Sequence, residues 1–323
     1  MLKLIAYRLA QTIVTLLIVT MVTFALLSAA GGDAVNTLSD DRLTSEVTIQ
    51  QMRRIYELDQ PLPVRYWRWL SNTARGNLGE SFFYHAPVSS LLLPRLWNTA
   101  ILAFLALLIA WTVALTLGTV AARRRGSWAD RICEVLILLS ASTPRIVLAL
   151  VVLALVSGVS WLAVGNNSAL SSNSSLADNS ASFARGLLPA FVLAVPLIAL
   201  FLAQVREGVR EALNEDFVMV ARAKGLRERD ILIRHALRAA LSPLITIFGY
   251  SLGAVMSGSV IVETILGWQG LGALSVVAVR SRDVPLLLGI VMITATAVFT
   301  GNLIADILLH LNDPRLRQEN AVK

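Results

Sequence analysis

Few residues in this 323-residue sequence have the type and spacing to do chemistry. The histidines, His85, His235 and His310, stand on separate segments, and Cys133 is the sole cysteine, so neither a metal cluster nor an intrachain disulfide can be built from them. No apolar run contains a histidine, which removes Ser/His and His-rich catalytic arrangements; no catalytic residue is assigned. None of the lysines, Lys3, Lys224 and Lys323, follows a glycine, so the phosphate-cradling GxxxxGK[ST] loop is absent. If ATP drives this protein, another chain must hydrolyse it. The chemistry that remains is charge in apolar surroundings: Arg145 after Pro144, Glu263 and Asp306. Arg145 lies eleven residues, roughly 16 Å of helix, beyond Glu134, deep within an apolar run. A lone charge at the middle of a membrane helix costs at least about 3 kcal/mol on insertion scales. Arg145 should therefore face a water-filled pathway or an acidic partner. Glu263 and Asp306 fall at the ends of apolar runs, where a solvated or helix-end role is expected. His235 is expected to be an interfacial packing residue.

The elements that must position these residues are membrane helices. Hydrophobic residues make up 56% of the chain and charged ones 15%, with a mean hydropathy of +0.68; soluble domains carry about a quarter charged residues. The apolar residues form long uncharged runs, not the short alternating segments of a barrel. A bilayer core of roughly 30 Å needs about 20 helical residues. The expected fold is an all-α membrane protein with six spans, at about 9–31, 97–122, 134–158, 187–205, 240–262 and 284–305, in a single transmembrane domain over 1–323. The first run is too long for a signal peptide and reads as a retained span. The Ser- and Asn-rich stretch 166–182 reads as a connecting loop. The net charge of +7 is a topology signal, not a nucleic-acid one. With both termini inside, inner segments hold seventeen basic residues and outer ones ten, most of those in the long loop 32–95. Long loops translocate largely regardless of charge, so the orientation is N-in and C-in.

The inner segment 206–238 is too patterned for a mere connector. Val209, Leu213, Phe217 and Val220 recur at helical spacing and predict an amphipathic helix that runs to about Lys224. Gly225 permits the left-handed turn that ends it, and a second helix resumes near Asp230. The small residues Ala221, Ala223 and Gly225 would admit a close-packed partner backbone, with Arg222 and Lys224 reaching acidic groups on it. Two readings remain: a docking surface for a cytoplasmic protein, or a basic loop held by anionic lipid.

The stretch ARAKGL at 221–226, followed by HALRAALSP at 235–243, resembles the cytoplasmic EAA loop of permease subunits from binding-protein-dependent ABC importers, in their dipeptide, oligopeptide and nickel branch. The nominal Glu-Ala-Ala falls on Met219, Val220 and Ala221, and Arg227 stands where a Ser or Thr cap is common. The resemblance extends along almost the whole chain. LDQPLPVRYWRWL at 58–70 and GNLGESF at 76–82 resemble the first outer loop, with Asn77 for a usual Asp. RRRGSWADR at 123–131 and STP at 142–144 fit the second inner loop and third span, and VIVETILGWQGLG at 260–272 resembles the outer loop after the fifth span, with Gln269 for a usual Pro. RDVPLLLG at 282–289, NLIAD at 302–306 and DPRLR at 313–317 complete it.

This resemblance implies a multi-pass subunit of a bacterial plasma (inner) membrane importer of di- or oligopeptides. Its partners would be a second homologous permease, two cytoplasmic ATPase subunits or one fused pair, an external solute-binding protein and membrane lipid, with no nucleic acid. ATP and magnesium would sit on the ATPases, leaving no cofactor or metal on this chain. Ala221, Arg222, Ala223, Lys224, Gly225, Leu226 and His235 would form the ATPase-coupling loop between the fourth and fifth spans. Pro144, Arg145 and Glu263 would border the pathway or the subunit interface. The alternative cargo is nickel or another small solute. An ion-coupled secondary transporter is the rival mechanism, and it predicts acids paired inside spans; the second, fourth, fifth and sixth runs contain none.

Overall fold

A computed structural model describes residues 2–29, 60–156 and 176–312. Its elements are α1 (Leu2–Ala29), α2 (Leu62–Ala74), α3 (Val88–Ala122), α4 (Trp128–Ser142), α5 (Arg145–Val156), α6 (Leu176–Leu213), α7 (Asp216–Ala223), α8 (Glu228–Asp230), a wide helical turn (Ile231–Ala236), α9 (Leu237–Ile265), α10 (Leu271–Arg280) and α11 (Val284–Asn312). Among the described residues there is no strand. α1, α3, α6, the α8–α9 stretch and α11 are long and apolar enough to cross a membrane, and α4 with α5 adds a sixth crossing if that bent pair is one span. The all-α membrane class expected from composition holds at this level.

The helices start earlier than the hydropathy runs: α3 at Val88 and not 97, α6 at Leu176 and not 187. Of the stretch 166–182 expected as a loop, 176–182 is helix and the rest lies outside the described residues. The expected continuous span 134–158 is broken, and α5 leaves α4 at 99°. Proline disfavours helical conformation in the residue before it and has no N–H of its own. Thr143 accordingly sits at φ −86, ψ 116. Its N–H and hydroxyl, with the Ser142 hydroxyl, all donate to the Leu139 carbonyl and close α4. The loop after α9 contains the unforeseen α10, which buries Leu271, Leu274 and Ala278 at helical spacing.

The chain forms two compact units, Met1–Thr99 with Gln269–Phe299, and Ala100–Trp268 with Thr300–Lys323. In the first, Val88 and Leu92 pack with Leu271, Leu274, Ala278 and Leu286. The GNLGESF and RDVPLLLG motifs meet there: fully buried Asp283 accepts from the Ser81 hydroxyl at 2.5 Å, the Phe83 N–H at 3.0 Å and the Leu286 N–H at 3.1 Å.

In the second unit, Leu102, Ala106, Ala110, Ala114 and Gly118 recur every four residues and form the buried stripe of α3. Small side chains let membrane helices approach closely. A methyl group on Gly118 would stand 2.8 Å from Val205 Cγ1 of α6, and one on Gly249 of α9 would stand 2.9 Å from Ala305 Cβ of α11. One end of this unit is tied by charge. Asp130, at the start of α4, accepts from Arg206 Nε at 2.6 Å and Arg210 Nη2 at 2.9 Å, both on α6, and from the Gly126 N–H at 2.9 Å. Ser127 caps the same helix by accepting from the Asp130 N–H. α6 leaves this tie directly for the turn described next.

A candidate coupling turn and a seated arginine

α6 ends at Leu213, and the turn at Asn214 and Glu215 separates it from α7. That break corrects the single amphipathic helix expected from Val209 to Lys224. It also resets the phase: Phe217 and Val220, expected on the inner face with Val209 and Leu213, are exposed, while Val218 and Ala221 are buried with Ile231. α7 closes at Lys224. Gly225, at φ +75, adopts the left-handed conformation that lacks a steric penalty only for glycine. Its N–H donates to Arg222 O at 2.9 Å, and the Leu226 N–H reaches back to Ala221 O at 3.2 Å, the paired bonds that satisfy the last carbonyls of a helix. Across the turn, Arg222 Nε donates to Glu228 Oε1 at 2.8 Å. Both partners are about half exposed, so this pair sets geometry more than stability. The result is a rigid knuckle. Ala221 is its inward anchor, which corrects the expectation that it lies on the outer face. Ala223, Lys224, Gly225 and Leu226 are exposed with Met219 and Val220, and a methyl group on Gly225 would meet nothing within 4 Å.

The knuckle runs through α8 and the wide turn into α9 without interruption. In the wide turn the Leu237 N–H donates to Leu232 O, five residues back, so the chain takes one more residue per turn than an α-helix. His235 is exposed there, not packed, and lines an open cavity of about 630 Å³ with Phe217, Arg234, Arg238, Ala239 and Ser242.

Farther along α9, Arg145 from the start of α5 lays its guanidinium over Gly258. A methyl group on Gly258 would collide with Nη1 and stand 2.7 Å from Cζ. Nη1 also donates to Ala254 O at 3.4 Å. Gly208, between the two arginines that hold Asp130, packs against Ala240, so Ala240 is level with that tie. Gly258 is eighteen residues, about 27 Å, farther along α9. Arg145 is thus near the end of the unit opposite the Asp130 tie and not at its middle; the α4–α5 break and the long side chain account for the difference. Glu263, expected to be solvated or to have a helix-end role, is in the last turns of α9 and fully buried, so of the two expectations its place at a helix end is found and its solvation is not.

Comparison with known proteins supplies the class. Residues 114–318 match the family of binding-protein-dependent transport system inner membrane components, and residues 1–103 match the N-terminal part described for the same membrane components. The chain belongs to that family. It is 34% identical over 316 residues to the oligopeptide transport system permease protein AppB of Bacillus subtilis, covering 96% of this chain and 99% of the relative. It is 34% identical over 336 residues to the di/tripeptide transport system permease protein DppB of Pseudomonas aeruginosa, covering 99% and 100%. A putative peptide permease protein of Brucella ovis is 32% identical over 320 residues, covering 98% and 99%. This permease is a multi-pass inner-membrane subunit.

Of the residues singled out from sequence, the permease brings Ala221, Arg222, Ala223, Lys224, Gly225 and Leu226 into one turn, with His235 on the next helical segment. Pro144 and Arg145 flank the helix break, and Glu263 is on α9 beyond Gly258. Among the described residues no cluster of His, Cys, Asp and Glu could hold a metal ion. Sequence reasoning missed Met219 and Val220 as the exposed apolar pair of the turn, Gly258 as the seat of Arg145, and Asp130 as the carboxylate behind the turn. The Ser127-x-x-Asp130 spacing was a readable cap signal; the other positions carry none without the fold.

Proposed function

We propose that this permease is one of two related membrane subunits of an ATP-driven peptide importer, spanning the membrane six times with both termini inside. α4 and α5 count as one broken span. Two cytoplasmic ATPase subunits, or one fused pair, hold ATP and magnesium and dock on the 206–238 segment. An external binding protein delivers the substrate. The observation that carries the reading is the knuckle at Gly225, which presents small, apolar and cationic groups on a turn continuous with membrane helix α9. Closure of the ATPases pushes on Ala223, Lys224 and Gly225; the inward anchor formed by Val218, Ala221 and Ile231 prevents the turn from deforming, and the push passes into α9 as a rigid-body movement. Arg222 holds the turn through Glu228, and Leu226 starts the return. Peptides as cargo are supported by the names of the relatives across nearly the full chain.

The test is ATP-dependent uptake of labelled di- and oligopeptides by cells with and without this gene and by a Gly225→Asp variant. Asp tolerates positive φ better than most residues, and the space around Gly225 is open, so the variant should reach the membrane in normal amount. Its acidic side chain on the docking face should lower uptake at least about tenfold, or ~1.4 kcal/mol of coupling. Normal uptake in the deletion strain would reject peptides as the cargo and direct the search to nickel and other small solutes.

A further inference from the structure

Arg145 has more hydrogen-bonding capacity than its surroundings use. A guanidinium has five N–H donors. Among the described residues it makes a single bond, 3.4 Å long, to the neutral Ala254 carbonyl, and no carboxylate pairs with it. Its position sharpens the imbalance, because a cation in the first turn of α5 is opposed by the helix dipole. Yet the side chain is not loose. Gly258 leaves a notch that the guanidinium enters with Nη1 foremost, and any larger residue there would displace it. The neighbouring break adds a second requirement. The ends of α4 and α5 leave backbone groups without intrahelical partners, and at membrane depth such backbone is tolerated only inside protein or beside water. Ser142 and Pro144 are exposed on this chain, so the break faces either the water of the pathway or the second permease subunit. Facing the pathway, a fixed, incompletely bonded guanidinium in a transport protein is a receptor for an anion that arrives through that water.

We propose that Arg145 receives the terminal carboxylate of the transported peptide near the outer mouth of the pathway, with Gly258 as its seat; this rests on the peptide-import reading above. Guanidinium and carboxylate match as a two-bond fork, which a lysine cannot reproduce. Peptides differ in every side chain but share this group, so one cation serves a varied cargo.

The experiment measures uptake of one labelled dipeptide as the free acid and as its C-terminal amide, by the complete transporter in cells, for wild type, R145Q, R145K and G258A, with membrane abundance quantified for each. The binding protein is common to all strains, so a change in the acid-to-amide ratio reports the permease. R145Q should lower uptake of the acid at least about tenfold, equivalent to ~1.4 kcal/mol, with amide uptake unchanged. R145K should be intermediate, and G258A should shift the ratio in the direction of R145Q. Should R145Q fail to reach the membrane, R145K and G258A decide by the same ratio. Where the binding protein admits only the acid, acid uptake lost in R145Q and partly restored in R145K supports the assignment, and none restored overturns it. An unchanged ratio, or equal loss of acid and amide as expected for an ion pair with the second permease subunit, overturns it while the importer reading stands. Wild-type uptake of neither peptide overturns both.

Discussion

Asp130 is the residue on which one end of the second unit depends. Its side chain is 9% exposed and faces guanidiniums that are 19% and 11% exposed, so removing its charge leaves two largely buried cations without their anion. Breaking a buried pair costs about 3 kcal/mol. D130N should therefore lower the melting temperature of the purified protein in detergent by about 5–10 °C, with D130E recovering part of the loss; an unchanged melting temperature would show that Arg206 and Arg210 find other partners. The sequence placed Asp130 in an inner basic loop. It could not reveal the tie, because the arginines lie 76 and 80 residues away. Gly225 was legible for the opposite reason: its conformation is local, and a glycine after a helical run announces it. Ala221 was misplaced because its face depends on where α6 stops, which hydropathy does not mark.

Among the elements, the α4–α5 pair shows how far apolar patterning reaches. The run 134–158 was visible as membrane-embedded but was read as continuous, although Pro144 stands at the break. Its depth of 99° was not readable, since it depends on what α5 packs against. The break makes a measurable difference between neighbouring residues. In a Cys133→Ala background, a cysteine at Ser142 should react with a membrane-impermeant maleimide, while one at Leu138, 63% exposed and four residues earlier on α4, should stay unlabelled because its surroundings are lipid. Equal protection of both would place the break inside packed protein. α10 escaped notice because a mostly apolar stretch of ten residues is too short to stand out beside true spans, although Leu271, Leu274 and Ala278 carry helical spacing.

For the molecule as a whole, the class, the membrane location and the family were legible from order and spacing of short motifs along 323 residues, and the matches over 1–103 and 114–318 agree with them. What the sequence withheld was which motifs meet: GNLGESF with RDVPLLLG through Asp283, and the residue after STP with Gly258. These are tertiary facts, set by helices that slide and rotate until small residues face one another. The wide turn at Ile231–Ala236 bears on that rotation. It holds one residue more than a regular helix of the same length, so it is the one place between the knuckle and Gly258 where the chain has length to spare. Losing the exposed Ile233 lets the turn rewind as ordinary helix with the faces before and after it still in phase. Losing the still more exposed Tyr250 instead turns everything beyond it by about 100° and carries Gly258 out from under Arg145. The ΔIle233 transporter should keep membrane abundance and much of its uptake, and the ΔTyr250 transporter should lose both; reading frame in the membrane, not only composition, is what this helix has inherited.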